Sequence, residues 1–122
     1  KYNSRLVTNP HLILPTIERE TRMSWFVYVV RLNDQFDGTD RDEIIAGLRR
    51  HEIGASNYFP PIPLLPFFRK TYGYKPGDFP MAETMSQRTI ALPFYNAMTD
   101  YEVDLVCQTL ELMIQRVTFS RN

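Results

Sequence analysis

The residue types that most often bind metals or act as nucleophiles are scarce in this sequence. The 122 residues include two histidines and one cysteine, which are His11, His51 and Cys107. A structural zinc site uses four such ligands, so these three are too few, and no metal is predicted. We expect both histidines to lie at the surface or to cap helices, and Cys107, within a helical apolar pattern, to be a buried thiol. A single cysteine forms no internal disulfide, which is typical of the reducing cytoplasm.

A lysine could form a Schiff base with a carbonyl compound if its amine were partly buried and its pKa lowered. The three lysines are Lys1, Lys70 and Lys75, and all lie in polar or turn-forming stretches. Their ammonium groups are therefore expected to remain solvated.

Carboxylates occur in close pairs that could act in acid–base catalysis. Asp40 precedes Glu43, and Asp100 precedes Asp104, each pair at the start of a predicted helix. Carboxylates at that position interact favourably with the helix dipole, which favours a structural role. We predict no catalytic residue in this chain.

Charge and hydropathy exclude two classes of partner. Fourteen basic residues balance fourteen acidic ones, so there is no excess of positive charge for binding nucleic acid or an anionic membrane. No apolar run approaches the roughly 18 residues of a membrane-spanning helix. With 122 residues and 43% hydrophobic content, the chain is expected to form one compact domain.

The first half of the chain predicts a strand followed by a helix. Residues 25–30 are β-branched or aromatic throughout, which favours a central strand buried on both faces, with Trp25 and Phe26 in the core. Asp40 resembles the N-cap of a capping box. An amphipathic helix is therefore expected over residues 40–50.

The second half predicts several short elements around a proline-rich loop. Four prolines between residues 60 and 66 prevent regular backbone hydrogen bonding, so the loop is expected to be rigid and irregular. Thr99 and Glu102 form a capping box for a long helix with apolar residues at three- and four-residue spacing. The other predicted elements are a strand within 53–59, a short helix from Pro66 that Gly73 ends, a helix over 80–88 and a strand over 89–92.

This order of elements favours an α+β fold. The expected architecture is a two-layer sandwich, in which helices pack on a small, mainly antiparallel sheet of about three strands. Residues 23–122 would form this domain, and the weakly patterned residues 1–22 are interpreted as an arm or linker.

Eight short motifs in a fixed order are similar to those of a known family. Within residues 24–112 they read SWFVYVVRL, DRD, EIGASNYFPPI, PFF, GY, GDFPMAE, IALP and MTDYE. In this order they resemble the C-terminal domain of the DegT/DnrJ/StrS-type aminotransferases, fold-type-I enzymes that use pyridoxal phosphate. The resemblance implies that residues 23–122 are the small domain, and that residues 1–22 link it to a large N-terminal domain.

The resemblance also implies a reaction. The parent enzyme is expected to transfer an amino group from an amino acid, expected to be glutamate, to a keto sugar that is linked to a nucleotide. In the family, the lysine and carboxylate that hold pyridoxal phosphate belong to the large domain, so this fragment is expected to bind no cofactor and to be inactive alone. A homodimeric parent is expected, and the isolated fragment is expected to self-associate through the surface that normally packs on the large domain.

The same resemblance implies which residues face the substrate. In the family the proline-rich loop lies beside the sugar, and its positions here are Asn57, Tyr58, Phe59 and Pro61. Many relatives carry histidine in place of Asn57 and His-Leu-Gln in place of residues 63–65, which implies an altered substrate. Two structural alternatives stay open, a strand-end cap for Asn57 and a partly buried aromatic role for Tyr58. The alternative function is a free-standing α+β module that binds a ligand or a protein.

Overall fold

The computed structural model describes residues 1–121, in which five α-helices and a short 3-10 helix accompany a four-stranded sheet. The helices are α1 (Tyr2–Leu6), α2 (Gly38–Arg50), α3 (Pro66–Tyr72), α4 (Pro80–Arg88) and α5 (Asp100–Ser120), and the 3-10 helix spans Ile62–Leu64. The strands are β1 (Leu12–Ile13), β2 (Tyr28–Leu32), β3 (Ser56–Asn57) and β4 (Thr89–Leu92). The predicted α+β class is confirmed.

The sheet is antiparallel throughout, with the strand order β1-β2-β4-β3. Along β2, Tyr28, Val30 and Leu32 are buried, and the intervening Val29 and Arg31 are only half-buried. The buried residues join a hydrophobic core that also includes apolar side chains of α2 and α5. The predicted central position of this strand is therefore correct, but its predicted burial on both faces is wrong. Helices cover one face, which produces the alternation typical of a two-layer fold.

The two longest helices, α2 and α5, pack closely against each other on the sheet. Gly47 of α2 faces Met113 of α5, and a Cβ atom added at Gly47 would lie 2.2 Å from the sulfur of Met113. Thr99 caps α5 through the predicted capping box with Glu102. Glycine at position 47 therefore permits an approach that a larger residue would obstruct.

Residues 1–14 have a place in the core that their weak patterning did not predict. Helix α1 packs on α5, and β1 extends the sheet beside β2 as a fourth strand. Tyr2, Leu6 and Leu12 are buried in the same hydrophobic core as the rest of the domain. A five-residue helix and a two-residue strand are too short to show a periodic pattern, and their apolar side chains are positioned by tertiary contacts. The origin of residues 1–22 in an interdomain linker stays a prediction.

Two predicted details near β2 and α2 are wrong. Asp37, not Asp40, caps α2: its side chain accepts hydrogen bonds from Thr39 N at 2.8 Å and Asp40 N at 3.1 Å, and Asp40 accepts one from Asp37 N at 2.8 Å. Aspartate at the N3 position takes the part that glutamate usually plays in a capping box. Phe26, predicted to lie in the core, is 79% exposed because the strand begins only at Tyr28.

Candidate functional site

The proline-rich loop begins where β3 ends, and its first turn is strained. The strand predicted within residues 53–59 is reduced to Ser56 and Asn57, which pair with β4. Phe59 then adopts a left-handed backbone conformation with φ of 44°. A bulky aromatic residue in this region is rare, and such strain is concentrated at ligand-binding and active sites. The following prolines and the 3-10 helix limit how far the loop can relax.

Three of the predicted substrate-facing residues lie within this loop. The rings of Tyr58 and Phe59 are stacked, with centroids 4.9 Å apart and planes inclined by 29°. Phe59 is 66% exposed, whereas Tyr58 and Pro61 are half-buried. The stacked pair forms an aromatic surface, which is suited to contact the apolar face of a ligand ring.

A row of aromatic side chains continues from the loop through α3 to the start of α4. Successive ring centroids are 5.0–6.1 Å apart, in the order Phe67, Phe68, Tyr72, Tyr74 and Phe79. As predicted, Pro66 opens α3 and Gly73 ends it, with φ of 73° at the glycine. Phe67 and Tyr72 are exposed. The segment 58–79 therefore places several aromatic rings at its surface, with Phe59, Phe67 and Tyr72 the most exposed.

Asn57 is separated from the stacked pair by the direction of its side chain. It pairs with Ile90, a core residue, and cross-strand partners project from the same face of a sheet. Asn57 therefore points toward α2, where it lines a cleft of about 610 Å³ together with Arg41, Arg49 and Arg50. The structure thus brings Tyr58 and Phe59 together and places Asn57 in a neighbouring basic cleft.

A second cavity of about 490 Å³ was not predicted from the sequence. Its lining includes Tyr2, Trp25, Tyr28, Phe94 and Tyr95. The rings of Tyr2 and Tyr28 stack at 4.7 Å, and Trp25 lies 5.8 Å from Tyr28. The aromatic content of residues 25–28 was a signal for this cavity. No sequence signal indicated that Tyr2 would also line this cavity, because its position depends on α1 folding back onto the rest of the domain.

Burial suppresses ionisation of the phenols beside this cavity. The hydroxyl of Tyr2 donates a hydrogen bond to the carbonyl of Pro93 at 2.7 Å, and the hydroxyl of Tyr28 donates one to the side chain of Asn3. Desolvation by burial raises the pKa of Tyr2 well above its ordinary value and raises that of Tyr28 to about 12. Both phenols therefore stay neutral at physiological pH and act here as hydrogen-bond donors.

The histidines and the cysteine occupy structural positions. His51 is the exposed C-cap of α2, as predicted. His11 is half-buried with its ring edge-on to Phe36 at 5.5 Å, so its predicted surface or capping role is wrong. Cys107 is buried as predicted, and burial raises the pKa of its thiol to about 11. A thiol with a raised pKa is a poor nucleophile at neutral pH.

The lysines do not fit the role of a cofactor-binding amine. Lys1 pairs with Asp100 at 2.8 Å, and Lys1, Lys70 and Lys75 are all exposed. A Schiff-base lysine needs a desolvated site, and the three exposed side chains do not occupy one. Within residues 1–121, the lysines therefore lack the burial that is typical of a Schiff-base lysine. In the same residues there is no cluster of three or more potential metal ligands, and no helix combines the length and hydropathy needed to cross a membrane.

Comparison with known proteins accounts for this set of features. The family model described as the DegT/DnrJ/EryC1/StrS aminotransferase family matches residues 1–111. The chain belongs to this family. The resemblance inferred from the eight motifs is thereby confirmed, and the match includes both the proline-rich loop and α1.

Two known proteins are similar in sequence to most of this chain. An uncharacterized protein of Methanocaldococcus jannaschii is 41% identical over 102 residues, which are 84% of this chain and 26% of that protein. The spore coat polysaccharide biosynthesis protein SpsC of Bacillus subtilis is 33% identical over 116 residues, which are 94% of this chain and 30% of that protein. The chain therefore spans less than a third of the length of these relatives.

A solved structure has the same fold. The apo form of a putative sugar aminotransferase from Streptococcus pneumoniae matches with a TM-score of 0.88 and 25% identity, over 99% of this chain and 30% of that one. Structures of the same protein are also described as PLP and PMP forms. The α+β domain described above thus corresponds to one part of a longer family fold.

Proposed function

We propose that this chain is the C-terminal small domain of a pyridoxal-phosphate-dependent sugar aminotransferase. The observation that carries the proposal is the family match over residues 1–111, which includes the strained loop at the end of β3. Residues 23–122 would form the small domain, and residues 1–22 would lead into it from a large domain, with α1 and β1 packed on its core. Pyridoxal phosphate, held by that large domain, would act as the electron sink for amino transfer.

In this proposal the chain positions the substrate and does not take part in the chemistry. The stacked Tyr58 and Phe59 offer an aromatic surface to the sugar, and the prolines hold this surface in place. Pro61 limits the movement of the loop, and Asn57 contributes from the adjoining cleft. The substrate would be a keto sugar carried on a nucleotide, with glutamate as the amino donor. The spore coat polysaccharide function of the Bacillus relative supports a carbohydrate substrate.

The two half-reactions of the parent enzyme provide the test. In this proposal the hydroxyl of Tyr58 and the amide of Asn57 each also form a hydrogen bond with the sugar. Replacing Tyr58 by Phe or Asn57 by Ala should therefore raise the KM for the keto sugar by about threefold to tenfold, the effect of one lost hydrogen bond. The glutamate half-reaction should change little, because the loop would not contact the amino donor. Tyr101→Phe is a matched control, because Tyr101 is an exposed residue of α5 outside the loop. Equal losses in both half-reactions would argue against a substrate-binding role.

The expected inactivity of the isolated chain has a separate test. Equimolar pyridoxal phosphate should not bind saturably with the absorbance band of a lysine-bound cofactor, because exposed lysines form only weak, non-specific imines with it. A saturable band at equimolar cofactor, which borohydride converts into an adduct at one particular lysine, would contradict this. Glutamate should likewise be left unconverted by the isolated chain.

We further propose that the parent is a homodimer and that the isolated chain self-associates through segment 58–79. The exposed rings of Phe59, Phe67 and Tyr72 support this, because aromatic surface of this kind is enriched at protein contacts. Sedimentation of the isolated chain should show dimers or larger species, and Phe67→Ser should shift it toward the monomer. A monomer at all concentrations would contradict the association.

We also propose a reducing cytoplasmic location, which the buried, unpaired thiol of Cys107 supports.

A further inference from the structure

Helix α5 has an apolar stripe on the side that faces away from the core. Its other side is buried in the core over residues 103–117. Six exposed residues follow one another along the outer side at alternating spacings of four and three, namely Tyr101, Leu105, Gln108, Leu112, Gln115 and Phe119. The four apolar members are between 44% and 76% exposed. We call these six residues the α5 seam.

The spacing of the α5 seam is that of a coiled coil. Residues that alternate at four and three return to the same side of a helix every 3.5 residues on average, and they pack as knobs into the holes of a second helix. Helix α5 has 21 residues, which corresponds to a length of about 30 Å. Because its other side is held by the core, α5 is already helical before it meets a partner, and pairing avoids the cost of ordering. The α5 seam therefore fits a second helix.

The exposed apolar area of the α5 seam is large enough for a specific contact. The rings of Tyr101 and Phe119 are about three-quarters exposed, so the rings of two copies would together bury roughly 450–750 Å². Leu105 and Leu112 are about half exposed and add to this area from both copies. Together these side chains reach the lower limit of a specific protein interface, about 1,000 Å².

We propose that the α5 seam pairs in antiparallel orientation with the α5 seam of a second copy of this chain. In the central register the opposing positions are Tyr101 and Phe119, Leu105 and Gln115, and Gln108 and Leu112. Every layer of this pair contains an apolar residue, and no glutamine faces a glutamine. A parallel pair in register would instead place Gln108 and Gln115 each against its own copy, so that two layers would bury opposing amides. The sequence of the seam therefore favours the antiparallel orientation.

Charge favours the same orientation. The first turn of α5 contains Asp100 and Glu102, and Arg116 lies exposed near its end. Antiparallel pairing brings Glu102 of one copy beside Arg116 of the other, and it places opposite ends of the two helix dipoles together. Parallel pairing would place like charges side by side. Glu111 flanks the middle of the seam, so in the antiparallel pair it faces its own copy across the two-fold axis and limits the affinity.

Sedimentation velocity of the intact native protein tests the pairing. The protein should form a concentration-dependent species of twice the mass, and Leu112→Gln should weaken this doubling by at least about tenfold, because the substitution affects both halves of the contact. Met81→Gln is the matched control, because Met81 is an exposed apolar residue of α4 outside the seam. Phe67→Ser, which targets the association proposed for segment 58–79, should leave the doubling unchanged. A thermal melt should show that each variant is folded.

Cysteine cross-linking tests the orientation. Leu105→Cys and Gln115→Cys should form an intermolecular disulfide when the two variants are mixed and mildly oxidised, because the antiparallel register places these positions opposite each other. Either variant alone should remain without a cross-link, and the native Cys107 is buried. Glu111→Gln should strengthen the doubling, because it removes the repulsion at the two-fold axis.

The inference does not rest on the proposed function, because a parent protein with another activity would show the same doubling. Equal masses of the native protein and Leu112→Gln at all concentrations would overturn it, as would equal losses in Leu112→Gln and Met81→Gln. A cross-link in each cysteine variant by itself would overturn the antiparallel orientation. Phosphatidylglycerol vesicles should not bind the seam, because acidic residues flank it. Vesicle binding that Leu112→Gln abolishes, without any doubling of mass, would assign the seam to a membrane and overturn the proposal.

Discussion

The strained backbone at Phe59 leads to a prediction that separates stability from function. Phe59 and Glu52 are the non-glycine residues with positive φ within residues 1–121, at 44° and 61°. This conformation costs an L-residue roughly 1–2 kcal/mol, which glycine avoids. A glycine also lowers the stability of the fold by about 0.4–1 kcal/mol, because it makes the unfolded chain more flexible than another residue would. A change to glycine at either position should therefore stabilise the fold by about 1 kcal/mol before side-chain contacts are counted.

Glu52 is a matched control because its strain belongs to a helix end. Its N–H bonds the carbonyl of Arg49 at 3.0 Å, and the N–H of Ile53 bonds that of Leu48 at 3.0 Å, which is the pattern of a Schellman motif. Glycine is the preferred residue at this position of the motif. The side chain of Glu52 is exposed and has no hydrogen bond within residues 1–121. Glu52→Gly should therefore gain the full stabilisation of about 1 kcal/mol.

Phe59→Gly should behave differently because the ring also stacks on Tyr58. An aromatic pair contributes about 0.5–1.5 kcal/mol, so the gain from relieved strain and the loss of stacking should nearly cancel. The fold would keep its stability while the loop loses its aromatic surface. In the proposed parent enzyme, the KM for the proposed keto-sugar substrate should rise at least as much for Phe59→Gly as for Tyr58→Phe. Glu52→Gly should leave it unchanged.

Urea unfolding followed by circular dichroism, together with the separated half-reactions, would measure both effects. The free energies of unfolding should rank Glu52→Gly above the parent protein and Phe59→Gly close to it. The reasoning is refuted if Phe59→Gly stabilises as much as Glu52→Gly and the sugar half-reaction is unaffected. That outcome would mean that the loop tolerates relaxation and that its strain has no role in binding.

Two further predictions concern the core that supports the loop. Gly47→Ala should destabilise the fold by about 1–2 kcal/mol in urea unfolding, because its Cβ would overlap Met113. In a Met113→Ala background the same change should stabilise the fold by up to about 1 kcal/mol, because alanine favours the helix. A stability change of the same sign in both backgrounds would contradict the close packing. The second prediction is a loss of stability in alkali. Burial raises the pKa of Cys107 from 9.0 to about 11 and that of Tyr28 from 10.0 to about 12. The neutral forms of both groups therefore stabilise the fold below pH 9, and this contribution falls as the pH rises through 9–12. Each two-unit shift corresponds to roughly 3 kcal/mol at most, and Cys107→Ala should remove the part lost between pH 9 and 11.

The elements that were predicted correctly are those whose signals are local. The capping box at Thr99, the proline at the start of α3 and the glycine at its end define helix boundaries through their own backbone hydrogen bonds. The boundary of α2 was misplaced because two aspartates, Asp37 and Asp40, satisfy the same motif when exchanged. Strand β1 has two residues, and only its pairing with β2 defines it. Such pairing depends on distant residues and leaves no periodic pattern.

The candidate site shows the same division between local and distant information. The prolines predicted a rigid loop, and the structure adds the left-handed turn at Phe59 that no composition rule indicates. The separation of Asn57 from Tyr58 required the pairing register with β4, because a shift of one residue would turn Asn57 to the opposite face. The basic cleft depends on the same register, since its arginines belong to α2 and its amide to β3.

Three buried ionisable groups, two of which line the aromatic cavity, are consistent with the proposed positioning role of this chain. Burial raises the pKa values of Tyr2, Tyr28 and Cys107, so these values lie further above pH 7 than they would in water. A general acid or base works best with a pKa near the pH at which the enzyme operates, so these shifts make the three groups less suited to proton transfer. Burial here serves packing and hydrogen bonding within the core. A rigid core of this kind is what a strained loop requires, because the residues around Phe59 can hold an unfavourable backbone conformation only if β3 and its neighbours do not yield.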